Sequence, residues 1–182
     1  MSAPHPHIVL GVTGSIAAYK ACELVRLCCK RHWEVSVIMT RAATQFVSEL
    51  TFQTLSRNPV VVDLFDAPEE WQPGHIGLAD RATVFVVAPC TANVMAKMAL
   101  GLADDLLAST ALATLAPIVV APAMNVHMWE HPATQGHVAT LRSRGVRVME
   151  AAPGDLACGY EGRGRMPEPV DIVEIIAGAL PA

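Results

Sequence analysis

Short apolar runs rich in β-branched residues recur along this chain, and each is separated from the next by a stretch long enough to form a helix. The runs occupy residues 7–13, 34–40, 59–65, 83–89, 117–121 and 146–150. Within most runs the apolar residues follow one another without alternating polar ones, which is typical of strands buried on both faces. Strands that alternate with helices form parallel sheets. The sequence therefore predicts one α/β domain whose parallel sheet is covered by helices on both faces.

The stretches between the runs carry the signals of helices. Ser15 is a candidate N-cap for a helix from Ile16 to about Arg31, and Asp104 is one for a helix that reaches about Leu115. Residues 153–169 are rich in glycine and proline, which predicts a loop. Further helical segments are predicted at 42–56 in one or two pieces, and at 75–81, 91–100, 130–144 and 170–180.

One stretch lacks any formal charge and is long enough to cross a bilayer. It covers residues 106–129, in a chain whose mean hydropathy is +0.37 and whose residues are 52% hydrophobic and only 16% charged. A spanning helix needs about 20 consecutive apolar residues, but Pro117 and Pro122 divide this stretch and each removes a backbone donor. We therefore expect a helix, a buried strand over 117–121 and then a loop, and no membrane segment.

Charge and cysteine content argue against several classes of function. Thirteen Lys and Arg against seventeen Asp and Glu give a net charge of −4, so we expect neither a nucleic-acid partner nor an anionic membrane partner. The N-terminal residues lack the basic region of a secretory signal. The five cysteines are odd in number and form no CxxC pair, which argues against a disulfide framework and favours a cytoplasmic protein.

The turn after the first run is a candidate anion site. Gly11 lies near the end of that run, and Gly14 and Ser15 lie between the run and a helix, whose N-terminal N–H groups can bind a phosphate. The turn lacks both the G-x-G-x-x-G spacing of dinucleotide-binding proteins and the lysine of a P-loop. On these residues alone, a phosphate site and an empty tight turn are both open, although open α/β sheets bind ligands at the carboxyl ends of strands.

A second motif, at residues 127–131, resembles a metal site. His127, Glu130 and His131 match the H-x-x-E-H pattern of inverted zinc proteases. That chemistry needs both histidines on one face of a helix, but Pro132 pushes His131 out of the helical region. Because no third ligand is evident either, we expect no metal.

Three further polar residues stand where sites often occur, and each also has an ordinary interpretation. Cys158 lies in the glycine-rich stretch, either as a reactive thiol in a mobile lid or as a free surface cysteine. Asn125 follows the carboxyl end of a strand, where it could bind a ligand or form a turn. His75 precedes a core strand, where a lone histidine is more often structural or exposed than catalytic.

Taken together and in order, five motifs resemble those of the flavin-containing cysteine decarboxylases, and most closely the phosphopantothenoylcysteine decarboxylases of coenzyme A biosynthesis. The motifs are GVTGSIAAY at 11–19, HIxL at 75–78, APCTAN at 88–93, APAMNVHMW at 121–129 and LACG…GRM at 156–166. The resemblance implies that residues 1–182 form one flavodoxin-like or Rossmann-like, FMN-binding domain. It also implies assembly into trimers or dodecamers, and a flexible substrate flap at about 153–167.

The resemblance assigns roles to single residues. His75 corresponds to a catalytic histidine, Asn125 to the residue that holds the substrate carboxylate, and Cys158 to the catalytic cysteine of the flap. Met124 and Ala157 belong to the substrate site beside them. The residues that correspond to the FMN-binding set are Gly14, Ser15, Ile16, Thr40, Thr91, Ala92, Asn93, Val94 and Ala121.

One position departs from the family pattern. The segment 91–94 reads T-A-N-V, whereas the family usually has a threonine at its last position. Val94 lacks that hydroxyl, so the resemblance predicts weaker or altered FMN contacts there.

The implied chemistry explains these residue types. Loss of CO2 from a cysteine-derived carboxylate leaves a carbanion that needs an electron sink. Oxidation of the CH2–SH group to a thioaldehyde provides the sink, decarboxylation then gives an enethiol, and reduction gives 4'-phosphopantetheine. His75 would act as acid and base, Asn125 would orient the carboxylate through its amide N–H groups, and Cys158 would donate a proton in the reducing step.

Two other functions remain open, as do the partners. A peptidyl-cysteine decarboxylase of peptide maturation releases the oxidised enethiol and needs no reducing-step cysteine, and a non-catalytic flavoprotein could act as a regulatory subunit. A decarboxylase of coenzyme A biosynthesis would have phosphopantothenoylcysteine as its small-molecule partner, together with a fused or separate phosphopantothenate–cysteine ligase. The surplus of apolar residues further predicts extensive subunit interfaces in a homo-oligomer.

Overall fold

A six-stranded parallel sheet forms the centre of the molecule, and an antiparallel hairpin follows it in the chain. The computed structural model describes residues 5–64, 74–155, 159 and 161–181. Each of the six apolar runs contributes one strand of the sheet, as predicted. The strands of the sheet are β1 (His7–Val12), β2 (Glu34–Met39), β3 (Val60–Val61), β4 (Val84–Cys90), β5 (Ile118–Pro122) and β6 (Arg147–Val148), and those of the hairpin are β7 (Ala152–Asp155) and β8 (Glu161–Arg165).

Helices connect the strands, and every segment predicted to be helical contains one. Gly101 ends the helix before it in a left-handed conformation with φ of 72°, as predicted from its position. A 3-10 turn at Ala43–Gln45 and a helix divide the segment 42–56 into two pieces, where one or two were expected. The helices are α1 (Ala18–Lys30), α2 (Glu49–Ser56), α3 (Gly74–Arg81), α4 (Ala92–Leu100), α5 (Leu106–Ala113), α6 (Val126–Glu130), α7 (Pro132–Ser143) and α8 (Pro169–Ala177).

The strand order β3-β2-β1-β4-β5-β6 is that of the doubly wound nucleotide-binding sheets. The chain first adds strands on one side of β1 and then crosses to β4 on its other side, so the strand order reverses between β1 and β4. Within the described residues, the two edge strands are shorter than the predicted runs 59–65 and 146–150. In β3, for example, only Val60 and Val61 pair with β2.

Both faces of the sheet are buried, as predicted. Ile8 and Leu10 of β1 point into a core built with α1, α2 and α8, whereas Val9 points into a second core built with α3, α4, α5 and α7. All three side chains are at most 1% exposed. Successive side chains of a strand point to opposite faces, so a strand between two helical layers must be apolar throughout.

The uncharged stretch 106–129 folds into three separate elements, in agreement with the role predicted for its prolines. It forms α5, then β5 and then α6, and Pro117 and Pro122 lie at the boundaries of β5. None of the helices within the described ranges is both long enough and apolar enough to span a bilayer. The expectation of a loop after β5 is wrong in part, because α6 begins at Val126.

The predicted loop over 153–169 is wrong for most of its described residues, although residues 166–168 are irregular as expected. Residues 152–155 and 161–165 form the antiparallel hairpin β7–β8, with Gly154 opposite Gly162. Glycine and proline disfavour strands in isolation, but strand formation depends strongly on the surroundings. Here β8 is held by residues 124–126, a distant segment of the chain.

Candidate functional site

The predicted cofactor residues lie along the carboxyl edge of the sheet. Gly14, Ser15 and Ile16 follow β1, Thr40 follows β2, and the segment 91–94 follows β4. Because the strands are parallel, their carboxyl ends meet at one edge, and ligands of such sheets bind where the strand order reverses. We call the space between the turns that follow β1 and β4 the switch-point crevice.

The turn after β1 differs in detail from the prediction. The helix begins at Ala18 and not at Ile16, and Ser15 is not its N-cap. The Ser15 hydroxyl instead accepts a hydrogen bond of 3.3 Å from the N–H of Ala17, two residues on. Serine often makes this local bond in turns, where it competes with helix capping.

Gly14 is required by a close approach of two chain segments. A Cβ added at Gly14 would lie 2.4 Å from the Cβ of Ala42, in the segment that follows β2. The same packing keeps Thr40 close to the turn, where the N–H of Thr40 donates to the carbonyl of Val12 at 3.0 Å. The absence of a side chain at Gly14 therefore brings the turns after β1 and β2 together.

Thr13 joins the two sides of the switch-point crevice, and the sequence analysis missed it. Its side chain is fully buried; the hydroxyl donates to the carbonyl of Pro89 at 2.7 Å and accepts from the N–H of Thr91 at 3.1 Å. A hydroxyl residue at the end of an apolar strand, directly before the turn glycine, was the available signal. Thr13 thus ties the carboxyl end of β1 to that of β4.

The first turn of α4 forms the other wall of the crevice. Thr91 is the N-cap, and its hydroxyl accepts from the N–H of Val94 at 3.4 Å. Asn93 is exposed in this turn, whereas the side chain of Val94 is only 3% exposed and packs in the second core. The weaker FMN contact expected at Val94 stays a prediction. Nearby Cys90 is fully buried, and burial raises its thiol pKa to about 12, so it serves as a packing residue.

Asn125 lies beside this crevice, one strand further along the sheet. The N–H of Ala123 donates to the carbonyl of Cys90 at 3.0 Å, which brings the segment after β5 against the end of β4. Asn125 is the N-cap of α6, and its Oδ1 accepts from the N–H of His127 at 2.8 Å. Ala121 is buried within β5, and Met124 is half-buried before the cap.

The histidines of the zinc-like motif do not share a helix face. His131 has φ of −60° and ψ of 134°, outside the helical region as predicted, and it separates α6 from α7. Its Nδ1 accepts from the N–H of Ala133 at 3.1 Å, so the residue acts as the N-cap of α7, ahead of Pro132. Among the described side chains, no three His, Cys, Asp or Glu lie close enough together to hold a metal ion.

His75 is half-buried in the first turn of α3, whose predicted helical character is confirmed. The end of this helix leads into β4, since the N–H of Thr83 donates to the carbonyl of His7 at the amino edge of the sheet. A crossover helix runs from the carboxyl edge back to the amino edge. The start of α3 with His75 therefore lies towards the edge that carries the other predicted residues.

The hairpin β7–β8 packs on the segment that carries Asn125. The N–H of Met124 donates to the carbonyl of Gly164 at 2.9 Å. The predicted flap of residues 153–167 thus covers β8 and all of β7 except Ala152. The two flap residues assigned to the substrate site, Ala157 and Cys158, lie outside the described residues.

A cleft of about 490 Å³ opens at the carboxyl ends of β2 and β3, a size common for small-molecule sites. One wall holds Thr40 and the ion pair of Arg41 with Asp63, and the other holds the start of α5 with Asp104 and Asp105. The hydroxyl of Thr40 accepts from the N–H of Ala43 at 3.2 Å. The cleft therefore adjoins the turn predicted to hold the cofactor.

The sequence assigned the cap of α5 to the wrong aspartate. Asp105 is the N-cap and accepts from the N–H of Ala108 at 2.8 Å, whereas Asp104 makes no cap bond. Both carboxylates lie 2.7 Å from Nζ of Lys97. Their hydrogen bonds raise the pKa of Lys97, and Lys97 in turn lowers the pKa of Asp104. Two adjacent aspartates are both candidate caps in a sequence, and only the backbone conformation distinguishes them.

A parallel sheet with hydroxyl groups, an amide and helix N-termini gathered at its switch point defines a protein of the nucleotide- or flavin-binding class. Comparison with known proteins agrees with this class and narrows it. The family model described as Flavoprotein matches residues 2–180. The chain belongs to the flavoprotein family, and the resemblance seen in its motifs is confirmed at that level.

Individual relatives are similar over nearly the whole chain. The coenzyme A biosynthesis bifunctional protein CoaBC of Bacillus subtilis is 47% identical over 169 residues, which are 93% of this chain and 42% of that protein. The chain therefore spans less than half the length of this curated relative.

Two solved structures have the same fold. A cysteine-to-serine mutant of PPC decarboxylase complexed with pantothenoylaminoethenethiol is 32% identical, with a TM-score of 0.84 over 96% of this chain and 97% of that one. The FMN-dependent cysteine decarboxylase SpaF is 31% identical, with a TM-score of 0.82 over 96% and 94%.

Proposed function

We propose that this chain catalyses the FMN-dependent decarboxylation of 4'-phosphopantothenoylcysteine to 4'-phosphopantetheine, a step of coenzyme A biosynthesis. The observation that carries the proposal is the position of Asn125, an amide beside the switch-point crevice with the hairpin packed on its own segment. Decarboxylation coupled to a flavin needs a carboxylate-binding group next to the flavin. Similarity to CoaBC and to PPC decarboxylase supports the choice of substrate.

The residues at the switch-point crevice fit FMN. Ser15, Thr40 and Thr91 provide hydroxyl groups, Asn93 provides an amide, and the first turn of α4 provides backbone N–H groups. Such neutral donors suit a phosphate and the polar edge of a flavin ring. When bound, FMN would supply the two-electron redox chemistry of the first, oxidising step and of the last, reducing step. The full set proposed to hold it is Gly14, Ser15, Ile16, Thr40, Thr91, Ala92, Asn93, Val94 and Ala121.

Asn125 is proposed to hold the substrate carboxylate. Its Oδ1 accepts the cap bond from the N–H of His127, so the cap orients the side-chain amide. The Nδ2 hydrogens are the only donors of an asparagine side chain, and a carboxylate is an acceptor. Met124, half-buried before Asn125, contributes the apolar side of the same site.

His75 and Cys158 are proposed to move protons. A histidine can take up and release a proton near neutral pH, which suits the oxidation and decarboxylation steps. Cys158 would protonate the enethiol carbon in the reducing step, with Ala157 beside it in the flap of residues 153–167. A reducing step leads to a saturated thiol as the product, and not to an enethiol.

We also propose that the protein works as a homo-oligomer, a trimer or a dodecamer, with the flavin site between subunits. Several large apolar side chains are exposed near the turn after β1 and on the α4–α5 region, among them Ile16 at 57% and Leu112 at 63%. Exposed apolar surface of this kind marks contact sites. Because the relatives that match are longer than this chain, a fused or separate phosphopantothenate–cysteine ligase is proposed as its partner in the pathway.

The test combines FMN binding with product analysis. The purified protein should take up FMN, seen as the flavin absorbance band, and should release CO2 from phosphopantothenoylcysteine with 4'-phosphopantetheine as the product. The Cys158→Ser variant should still release CO2 but accumulate the enethiol, which is two hydrogens lighter by mass spectrometry. The matched variant Cys22→Ser changes a cysteine of α1 outside the site and should give the saturated product.

Two results would contradict the proposal. Failure of the purified protein to take up FMN would contradict the proposed cofactor. Failure of the FMN-loaded protein to release CO2 from phosphopantothenoylcysteine would contradict the proposed activity. Full conversion to the saturated product by Cys158→Ser at the parent rate would contradict the role of Cys158 alone.

A peptidyl cysteine is the second candidate substrate. The similarity to the cysteine decarboxylase SpaF is nearly as high as that to PPC decarboxylase and favours keeping this candidate. A peptide that ends in cysteine should be tested in the same assay. Turnover of the peptide without turnover of phosphopantothenoylcysteine would select the second substrate.

A further inference from the structure

One face of β8 lies directly on the backbone around Asn125. A Cβ added at Gly164 would lie 2.3 Å from the carbonyl oxygen of Met124 and 3.3 Å from the backbone C of Asn125. Real Cβ atoms do not approach backbone atoms at the shorter distance. The bare backbone at Gly164 therefore allows the hydrogen bond of 2.9 Å from Met124 N–H to Gly164 O.

The same face of β8 makes a second contact two residues earlier. A Cβ added at Gly162 would lie 2.8 Å from Cγ2 of Val126. Side chains at positions i and i+2 of a strand lie on one face. Gly162 and Gly164 thus present a face without side chains to residues 124–126.

Asn125 is held from its other side by α6. Its Oδ1 accepts from the N–H of His127 at 2.8 Å, and its own carbonyl accepts from the N–H of Trp129 at 2.9 Å. Trp129 is only 5% exposed. Asn125 therefore lies between a helix start anchored in the core and the backbone of β8.

The end of β8 is in turn attached to the body of the molecule. Met166, directly after the strand, is 1% exposed and packs in the first core. Arg165 lies 3.6 Å from Glu168, whose carboxylate is 2.7 Å from Nζ of Lys20 on α1. These contacts hold β8 at a defined distance from the sheet.

We propose that Gly164 is a positioning residue for the decarboxylation, which sets the place of Asn125 relative to the hairpin. Any side chain at position 164 would push β8 away from Met124. The distance between Asn125 and the hairpin would then increase. Displacement of a binding group by about 1 Å can lower a rate about 100-fold. The inference rests on the proposed function for its substrate, but not for the backbone contact itself.

The experiment compares Gly164→Ala with Gly136→Ala in the FMN-loaded protein. Gly136 is exposed in α7, and a Cβ there would meet no described heavy atom within 4 Å. For Gly164→Ala we expect unchanged FMN affinity and a kcat/KM for phosphopantothenoylcysteine about 100-fold lower, mainly through a higher KM. Hydrogen exchange at the amide of Met124 should also become faster, because that N–H loses its acceptor. Gly136→Ala should match the parent in all three measurements.

A milder pair of variants tests the same contact if Gly164→Ala does not fold. Gly162→Ala meets a side-chain methyl group and not a carbonyl, so its steric effect on KM should be smaller. Gly162 has φ of 158°, so alanine there also strains the backbone, but that strain is the same in the single variant and in the double variant below. The double variant Gly162→Ala/Val126→Ala removes that methyl group and should recover part of the lost kcat/KM. No loss in Gly162→Ala, or no recovery in the double variant, would contradict the inference.

The remaining outcomes separate this inference from the proposed function. A folded Gly164→Ala protein with parental KM and parental exchange at Met124 would overturn the positioning role. A parent protein that binds FMN but does not turn over phosphopantothenoylcysteine would overturn the proposed function. In that case faster exchange at Met124 in Gly164→Ala would still support the contact, and unchanged exchange would overturn it.

Discussion

The two parts of the candidate site are built in different ways. The cofactor side consists of residues 13–16, 40 and 91–94, in turns that directly follow strands of the central sheet. The substrate side consists of residues 124–126 and 162–164, where a helix cap meets a strand of the separate hairpin. The cofactor side is held by the buried hydroxyl of Thr13 between β1 and β4. The substrate side is held outside the sheet, by Gly164 packed on the backbone of Met124 and by Gly162 packed on the side chain of Val126.

Because the two sides are held by different contacts, we expect mutations to affect flavin binding and substrate binding separately. Strands buried on both faces open only when the whole domain unfolds, so the cofactor side should share the global stability. Within the described residues the hairpin pairs with no strand of the six-stranded sheet. Its position depends on contacts with residues 124–126 and on Met166, which packs in the first core. Changes on the cofactor side should therefore affect FMN and stability together, whereas changes on the substrate side should affect KM first.

The largest effect is expected for Thr13→Val. Valine matches threonine in shape but leaves the carbonyl of Pro89 and the N–H of Thr91 without the Thr13 hydroxyl, which should lower the free energy of unfolding by about 2–3 kcal/mol. FMN affinity should fall as well, because the crevice walls lose their link. Urea denaturation and FMN titration measure the two effects. Thr13→Ser keeps the hydroxyl and is the control. A Thr13→Val protein as stable as Thr13→Ser would show that the buried hydroxyl does not hold the cofactor side.

An intermediate effect is expected for Asn125, where cap and substrate contact can be separated. Asn125→Ser keeps an N-cap oxygen but lacks amide N–H groups, whereas Asn125→Val lacks both. Only Asn125→Val should lose about 1 kcal/mol of stability in urea denaturation. Both variants should raise KM for phosphopantothenoylcysteine and keep the FMN affinity of the parent. A parental KM in Asn125→Ser would contradict the carboxylate contact, and loss of FMN would show that the two sides are not separate.

The smallest effect is expected from pH at the amino edge of the sheet, away from both sides. Burial lowers the pKa of His7, an effect that nearby Glu34 opposes and Arg81 reinforces, and the His7 ring lies 2.8 Å from the hydroxyl of Ser36. The folded protein thus prefers neutral His7, while the unfolded chain takes up a proton at about pH 6.5. Neutral His7 therefore contributes to the stability of the folded protein above about pH 6.5, and this contribution is lost as the pH falls below that value.

Thermal unfolding across this pH range, with FMN affinity measured in parallel, tests the His7 prediction. The His7→Gln variant cannot take up the proton and should show a flatter decline in stability towards acid pH. His5→Gln changes an exposed histidine nearby and should decline like the parent. An equal decline in His7→Gln and the parent would exclude His7 as the cause.

Sequence alone was most reliable where structure depends on neighbours along the chain. The strands β1, β4 and β5 follow from uninterrupted apolar runs, and Gly101 ends α4 because only a few residue types tolerate its left-handed conformation. The break at His131 follows from Pro132 in the same way. The predicted start of α1 and the predicted cap of α5 were wrong by two residues and by one residue. Several nearby side chains could make the same local bond, so the sequence does not distinguish them.

The hairpin could not be predicted from its own residues. Gly162 and Gly164 suggest a loop because glycine loses more conformational freedom than other residues in a strand. Here the missing side chains allow Gly162 to reach Val126 and Gly164 to reach Met124, which lie 36 and 40 residues earlier in the chain. No pattern within 153–169 carries that information.

The α/β class, the burial of both sheet faces, a turn after β1 and the motifs that mark a flavoprotein could all be predicted from the amino-acid sequence. These features depend on apolar periodicity and on the conformational limits of glycine and proline, which act between neighbouring residues. The strand order, the link made by Thr13 and the contact of Gly164 with the segment of Asn125 became visible only in the folded structure. These depend on which distant backbones approach each other, because burial and hydrogen bonding between remote segments are settled only when the whole domain packs.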